Sequence, residues 1–436
     1  MRIERNSDIL LINMPMDRVL NNREEHSVES SMPPLGLMYI YSYLKKNNYS
    51  ISFIDLAVEI FDIHELYEKI QYVNPKIVGI STYGESWNSQ LLISKKIKEL
   101  IPSVKIVAGG HGATFSYEDL LNTQVIDYVI AGEGENGFNR LADYIIKGES
   151  DLDSIPGLIY KKGEGFIINN NNRMLDLDEL PFPDRDILDL ETYSYPYTIS
   201  TARGCPGRCI FCSSHAFWGN KVTMRSPESI IEEIKHLYFK YSMKSFFIVD
   251  DTFTLLPKRT MEFCNKLLEF SEAEGINFKW GCESRADVVS DELLQLMKKV
   301  GCNMIQFGME SGNNEVLKKI NKNVRYEQIE NAVKIAYKYG ISTNVSIIIG
   351  HHVDTRKTVE ETLEKAKFLK ENYKANVIFS INTPYPGTEL RKILDDNNVK
   401  LLVKNNAQLR VDRPSFETSL LSANEIRKYF MISQNI

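Results

Sequence analysis

The sequence predicts an α/β protein built from two layered domains and a short helical tail. Three observations carry that reading. Short continuous apolar runs, the mark of strands buried on both faces, alternate with longer stretches of helical period. The alternation breaks once, across a Pro- and acid-rich stretch. The 436 residues also exceed what a single core holds, so two or three domains are expected. The expected divisions are 1–147, a linker with a hairpin at 148–196, a second alternating domain at 197–390, and a helical cap at 391–436.

In the first division, Asp8-Ile-Leu-Leu-Ile-Asn13 reads as a buried strand, and a polar loop runs from Asp17 to Ser31. Pro33-Pro34-Leu-Gly starts a helix with Leu37, Tyr41 and Leu44 at helical spacing, and Ile51 to Leu56 is the second strand. Strands follow at Lys76–Thr82, Val104–His111 and Asp127–Glu135, with helices at about 61–73, 86–100 and 135–147. Five alternations predict a doubly wound, Rossmann-like parallel sheet. Ligands settle beyond the carboxyl ends of such strands. Three of them end in Ser81-Thr82, Gly109-Gly110-His111 and Gly132-Glu133-Gly134, where main chain without side chains lets a bulky group approach. Tight-turn chemistry without a ligand is the alternative.

Residues 148–196 change character. Pro156 to Asn169 holds two apolar stretches around Lys162-Gly-Glu-Gly165, a hairpin signature. The run Leu175-Asp-Leu-Asp-Glu-Leu-Pro-Phe-Pro-Asp184 is expected to lie extended between the two large domains. Beyond it, strands are expected at Ser245–Asp251, Phe278–Arg285, Met304–Glu310, Thr343–Gly350 and Asn376–Asn382. Helices at about 227–241, 258–274, 290–300, 325–339 and 357–372 separate them. With the run Tyr197-Thr-Ile-Ser-Thr201 these make six βα units.

That first run leads into Gly204-Cys-Pro-Gly-Arg-Cys-Ile-Phe-Cys212, where Cys205, Cys209 and Cys212 fall within eight residues. Soft thiolates gathered this closely select zinc, copper(I) or iron–sulfur clusters. Three thiols do not close a structural zinc site or a fully protein-ligated cluster. Cys264, Cys282 and Cys302 stand in separate elements, so one iron of a cubane would stay open for a small molecule.

The spacing CxxxCxxC, with Phe211 before the last thiol, resembles the cluster loop of radical S-adenosylmethionine (SAM) enzymes. Phe307-Gly-Met-Glu-Ser-Gly312 and Thr383-Pro-Tyr-Pro-Gly-Thr388 match the same family, and the six βα units then imply its partial (β/α)6 barrel. The resemblance implies a 4Fe-4S cluster on Cys205, Cys209 and Cys212 that cleaves SAM to a 5'-deoxyadenosyl radical. SAM carries an ammonium, a carboxylate and a ribose diol. Glu310 or Asp250 would take the amine or ribose and Arg285 the carboxylate, with Phe211, Glu283 and Ser311 as further contacts. Gly350-His351-His352-Val-Asp354 departs from the glycine–proline turn usual in this family.

Pro33-Pro34-Leu-Gly-Leu37, Val107-Ala-Gly-Gly-His111 and Asp127-Tyr-Val-Ile-Ala-Gly-Glu-Gly-Glu135 resemble the cobalamin-binding domain that precedes the cluster domain in one radical SAM class. The implied corrin contacts are Ser81, Thr82, Gly109, Gly110, His111, Gly132, Glu133 and Gly134. The signature Asp-x-His-x-x-Gly is absent, since Asp62-Ile-His64 runs on to Tyr67. His64 is thus expected as a surface or capping residue, and the lower corrin face is expected to lie against Tyr83 or Trp87.

These features imply a cobalamin-dependent methyltransferase acting on an unactivated carbon of a small molecule or peptide, with flavodoxin or ferredoxin as electron donor. A rearrangement, cyclisation or oxidation without methyl transfer is the related alternative, and an iron–sulfur or cobalamin sensing module the alternative of another class. No cysteine precedes Cys205, which disfavours a methylthiotransferase. Net charge −6 and pI about 5.8 give no footprint for nucleic acid. No apolar run approaches the roughly 18 residues of a membrane span, and the start lacks a signal-peptide core. A cytoplasmic location is expected.

Overall fold

The computed structural model describes residues 3–17, 32–58, 63–149, 151–397, 399 and 401–436. It divides into two compact units, 1–196 and 197–436. Most of the loop expected from Asp17 to Ser31, and Asp62, lie outside the described residues.

The first unit contains β1 (Ile9–Asn13), α1 (Leu35–Lys46), β2 (Ile51–Asp55), α2 (Ile63–Val73), β3 (Ile77–Ser81), α3 (Trp87–Leu100), β4 (Lys105–Gly109), α4 (Gly110–Phe115), α5 (Tyr117–Asn122), β5 (Tyr128–Ile130) and α6 (Glu135–Ala142). The sheet order β2-β1-β3-β4-β5 is parallel throughout. β1 shows why an unbroken apolar run forms its centre. Leu10 and Ile12 pack in one cluster and Ile9 and Leu11 in the other, all fully buried. Each such burial contributes about 1.5–3 kcal/mol, so both faces must be covered by helices.

The hairpin of β6 (Leu158–Lys162) and β7 (Gly165–Ile168) forms where expected, but it is no free linker. β6 pairs antiparallel with β5 and extends the sheet. The segment after it also lies on this unit instead of spanning between domains. Leu177 and Leu180 pack with Tyr39, Asp184 pairs with Lys45 at 2.7 Å, and the Tyr193 hydroxyl donates to buried Asp55 at 2.5 Å.

The second unit opens with β8 (Thr198–Ile199) and β9 (Ala202–Arg203), the cysteine loop, α7 (Ser214–Trp218) and β10 (Thr223–Met224), which pairs with β9. Then come α8 (Pro227–Tyr241), β11 (Ser245–Ile248), α9 (Pro257–Glu274), β12 (Lys279–Ser284), α10 (Asp291–Lys299), β13 (Cys302–Glu310), α11 (Asn314–Lys319), α12 (Tyr326–Lys338), β14 (Ser342–Ile349), α13 (Arg356–Tyr373), β15 (Asn376–Ile381), α14 (Glu389–Asp396) and α15 (Ala423–Ser433). The sheet runs β15-β14-β13-β12-β11-β8 with every pair parallel, so all six carboxyl ends reach one mouth. Local chemistry starts the helices: Ser226 and Ser290 cap α8 and α10, and Ser422 forms a capping box with Glu425. Phe246, Ile248, Trp280, Cys282, Ile305 and Phe307 fill the core between sheet and helices. Among the described residues, no helix is long and apolar enough to cross a membrane.

Candidate active site

The chain turns from β8 into the cysteine loop because a buried carboxylate grips it there. Asp250 accepts from the main-chain N–H of Thr201 at 2.6 Å and of Ala202 at 2.9 Å, and from the Thr201 hydroxyl. Burial pushes this carboxyl up, and those three bonds oppose it. Asp250 continues the parity of Phe246 and Ile248, the side of β11 that packs in the core. Asp250 thus anchors the corner of the loop. Asp251 accepts from the Ser214 hydroxyl at 2.6 Å and ties down α7.

The three thiols stand on this loop, Cys205 and Cys209 half-buried and Cys212 exposed. Gly207 N–H points at Cys205 Sγ and Ser214 N–H at Cys212 Sγ, each at 3.4 Å, and the Thr252 hydroxyl lies 3.8 Å from Cys205 Sγ. The two main-chain donors favour thiolate charge. Burial raises the Cys209 thiol, while Lys322 and Arg285 draw it down. The loop is pinned behind by Ile210 N–H to the Ile320 oxygen (3.1 Å), by Leu390 N–H to the Ile210 oxygen (2.7 Å), and by the Asn321 amide to the Arg208 oxygen (2.8 Å). Cys264, Cys282 and Cys302 are buried in the core.

Facing the loop, Glu310 ends β13 across a register shift with φ +62. A residue with a side chain costs about 1–2 kcal/mol in this left-handed region, so its surroundings must hold it. Its Oε1 accepts from Lys322 Nζ at 2.9 Å, and both side chains are 9% exposed. Burial lowers the Lys322 ammonium, but Glu310 and Cys209 outweigh it and leave it raised. Arg285 is held in a fork by Asp287 at 3.0 and 2.8 Å and donates to the Lys322 oxygen at 3.2 Å. A Cβ placed at Gly207 would lie 3.2 Å from Arg285 Nη1, 3.3 Å from Cys205 Sγ and 3.9 Å from Cys209 Sγ. Glu283 is half-buried, and its carboxyl is pushed up to about 7 by burial and then by Asp251 and Asp250.

Phe211 packs on the core and against His351. Ser311, next to Glu310, has its hydroxyl 3.2 Å from that of Thr362 on α13 and accepts from Asn313 N–H. The adjacent histidines part, His351 buried and His352 half-buried.

In the first unit the strand-end residues separate into two groups. Ser81 and Gly109 are neighbours in register, and with Gly110 and His111 they stay half-buried at the edge. Gly110 has φ +88, and a Cβ there would lie 3.3 Å from Ser81 Oγ and from the Thr82 oxygen. Thr82 is instead buried, its hydroxyl donating to Gln90 at 2.6 Å. Gly132 (φ +71) makes room for Asn171, whose amide would lie 1.9 Å from a Cβ there and donates to the Ala131 oxygen at 2.9 Å. Glu133 accepts from Met174 N–H at 2.7 Å, and Gly134 abuts Ile40. Thr82, Gly132, Glu133 and Gly134 thus each meet a neighbour within the chain. His64 is exposed, as is Tyr83, whereas Trp87 packs on the core.

Residues 199–366 match the Radical SAM superfamily, and residues 26–142 match the B12 binding domain. An uncharacterized methyltransferase of Pyrococcus horikoshii is 33% identical over 427 residues, covering 96% of this chain and 90% of that protein. The chain belongs to the radical SAM superfamily. The hopanoid C-3 methylase of Methylococcus capsulatus is 30% identical over 82% of this radical SAM chain and 68% of its own length. In fold the chain is similar to the cobalamin-dependent SAM radical enzyme OxsB, with a TM-score of 0.76 at 19% identity, covering 98% of this chain and 66% of that one. It is similar also to the radical SAM methyltransferase TsrM of Kitasatospora setae, with a TM-score of 0.75 at 18% identity over 97% of this chain and 81% of that one.

Membership of this superfamily implies a 4Fe-4S cluster and SAM, and the B12 binding domain implies cobalamin. The residues present fit. Three thiols, two of them already facing main-chain donors, supply soft ligands one short of a closed set. Glu310 offers an acceptor for an ammonium and Lys322 a cation for a carboxylate. For cobalamin, Ser81, Gly109, Gly110 and His111 offer half-buried main chain and small side chains at the strand ends. Sequence reasoning missed Lys322 and Thr252, which stand in no motif and are brought to the loop only by the barrel.

Proposed function

We propose that this radical SAM enzyme is a cobalamin-dependent methyltransferase acting on an unactivated carbon of a small molecule or peptide. One observation carries the reading: the buried Glu310–Lys322 pair and the Arg285 edge face the loop that carries the three thiols. When bound, the cluster supplies one electron to SAM, and the corrinoid carries the methyl group. Glu310 takes the SAM ammonium, and Lys322 shifts part of its charge to the carboxylate. Arg285, fixed by Asp287, keeps a positive edge beside Cys205 and Cys209. Asp250 holds the loop corner, and Asp251 with Ser214 closes its far end. Half-buried Glu283, with its carboxyl pushed up to about 7, is able to hold or release a proton at the mouth near neutral pH. Relatives named as methyltransferases or methylases support methyl transfer over a rearrangement, cyclisation or oxidation.

The test is anaerobic incubation of the reconstituted protein with SAM and dithionite. Deoxyadenosine is expected, with S-adenosylhomocysteine beside it when cobalamin is loaded, and Cys205→Ala should form neither. Deoxyadenosine persisting in that variant refutes the cluster assignment, and loaded enzyme that never yields S-adenosylhomocysteine refutes methyl transfer.

A further inference from the structure

His351, 1% exposed, is the most deeply buried imidazole of the second unit, and no role derived above uses it. Its ring is bonded at both nitrogens. Nδ1 lies 3.2 Å from the Asn382 amide nitrogen and Nε2 lies 3.3 Å from the main-chain oxygen of Glu310. An amide nitrogen only donates and a carbonyl only accepts, so these partners assign the proton to Nε2 and leave Nδ1 as acceptor. The ring also rests on Phe211, with centroids 5.8 Å apart. Its own main chain is stiff. Gly350 and His351 N–H both donate to buried Asp354, at 3.1 and 2.9 Å, and Asp354 accepts the Thr358 hydroxyl at 2.8 Å in the first turn of α13. One rigid imidazole therefore joins the residue before the third thiol, the left-handed Glu310 and the end of β15.

We propose that His351 is a positioning residue that clamps the Glu310 peptide oxygen and the Phe211 ring, so that the Glu310 carboxylate is presented to the SAM ammonium. The inference rests on the reading of Glu310 as the acceptor of that ammonium. Glu310 holds a backbone conformation that residues with side chains resist, and Lys322 grips only the carboxylate. Release of the peptide oxygen lets φ relax to negative values and swings the carboxylate away. The sequence departs from the glycine–proline turn here, and this bond set is what the departure installs.

Two substitutions separate the two bonds in the full-length reconstituted protein. The terminal amide of His351→Gln falls near the Nε2 position and keeps the bond to Glu310, whereas His351→Asn reaches only as far as Nδ1. Anaerobic equilibrium dialysis with labelled SAM should show His351→Asn binding about fivefold to tenfold more weakly, the effect of one lost hydrogen bond. KM for SAM should rise by the same factor while kcat for deoxyadenosine at saturating SAM holds. His351→Gln should recover most of the affinity, and the thermal midpoint without SAM should be similar in both. In a Glu310→Gln background, His351→Asn should add no further loss. Both variants binding SAM as the native protein does, or both losing affinity equally, overturns the positioning role. Glu310→Gln with native SAM affinity overturns instead the underlying assignment of Glu310.

Discussion

Lys322 Nζ donates to Glu310 Oε1 at 2.9 Å inside the barrel mouth, with both groups almost fully buried. Removing one member of such a pair strands the other charge, which costs more than losing both. Lys322→Met should lower stability by about 3 kcal/mol, read from the denaturant midpoint at constant slope. The double variant Lys322→Met/Glu310→Gln should be less destabilised than Lys322→Met alone. Equal loss in the single and double variants would show that the lysine stem, not the charge, supports the site.

Asp250 supplies a second test, because its carboxylate satisfies two main-chain donors at the corner leading into the thiol loop. Leaving these donors unpaired costs about 1–3 kcal/mol each. Asp250→Ala should therefore melt earlier and load less iron per chain, while Asp250→Asn, which keeps an acceptor, should fall between. Native iron content with weakened SAM binding in Asp250→Ala would show a direct ligand role instead.

The adjacent pair Asp250-Asp251 shows how far sequence alone reaches. Alternating apolar runs placed both sheets, and the thiol spacing with Gly308-Met-Glu310 pointed to the family. Even the direction of Asp250 was legible in part, since residues 246, 248 and 250 share one face of a strand and the first two are large and apolar. Lys322 was not legible. It follows α11, a short helix absent from the sequence reading, and its approach to Glu310 depends on the left-handed turn that ends β13. The fate of Gly132 was hidden for a similar reason: its neighbour Asn171 is distant in sequence and arrives only because β6 and β7 fold back onto β5.

Gly132 and Gly110 should consequently behave differently. Gly132→Ala forces a side chain onto left-handed backbone and against Asn171, at a cost on the order of 2 kcal/mol. Its thermal midpoint should fall while the folded protein still retains corrinoid after gel filtration, judged by the visible absorption band. Gly110→Ala, at the half-buried edge beside Ser81 and His111, should lose that band. Selective loss of corrinoid by Gly132→Ala at native stability would move the site to the end of β5.

Glu283 makes the pH dependence specific. Its carboxyl is pushed up to about 7 in the folded protein, above the usual carboxylate range, by burial and by Asp251 and Asp250. A folded-state pKa above the unfolded one means that the native protein holds the proton more tightly, so stability falls as pH rises between the two values. Each pKa unit corresponds to about 1.4 kcal/mol, and solvent screening at a half-buried group reduces the total to roughly 2 kcal/mol. The SAM-free protein should therefore melt at a lower temperature at pH 8 than at pH 5.5 by more than Glu283→Gln does, because the neutral amide removes this part of the slope. Identical pH slopes in the two proteins would mean that Glu283 ionises as an ordinary surface carboxylate and holds no proton at the mouth.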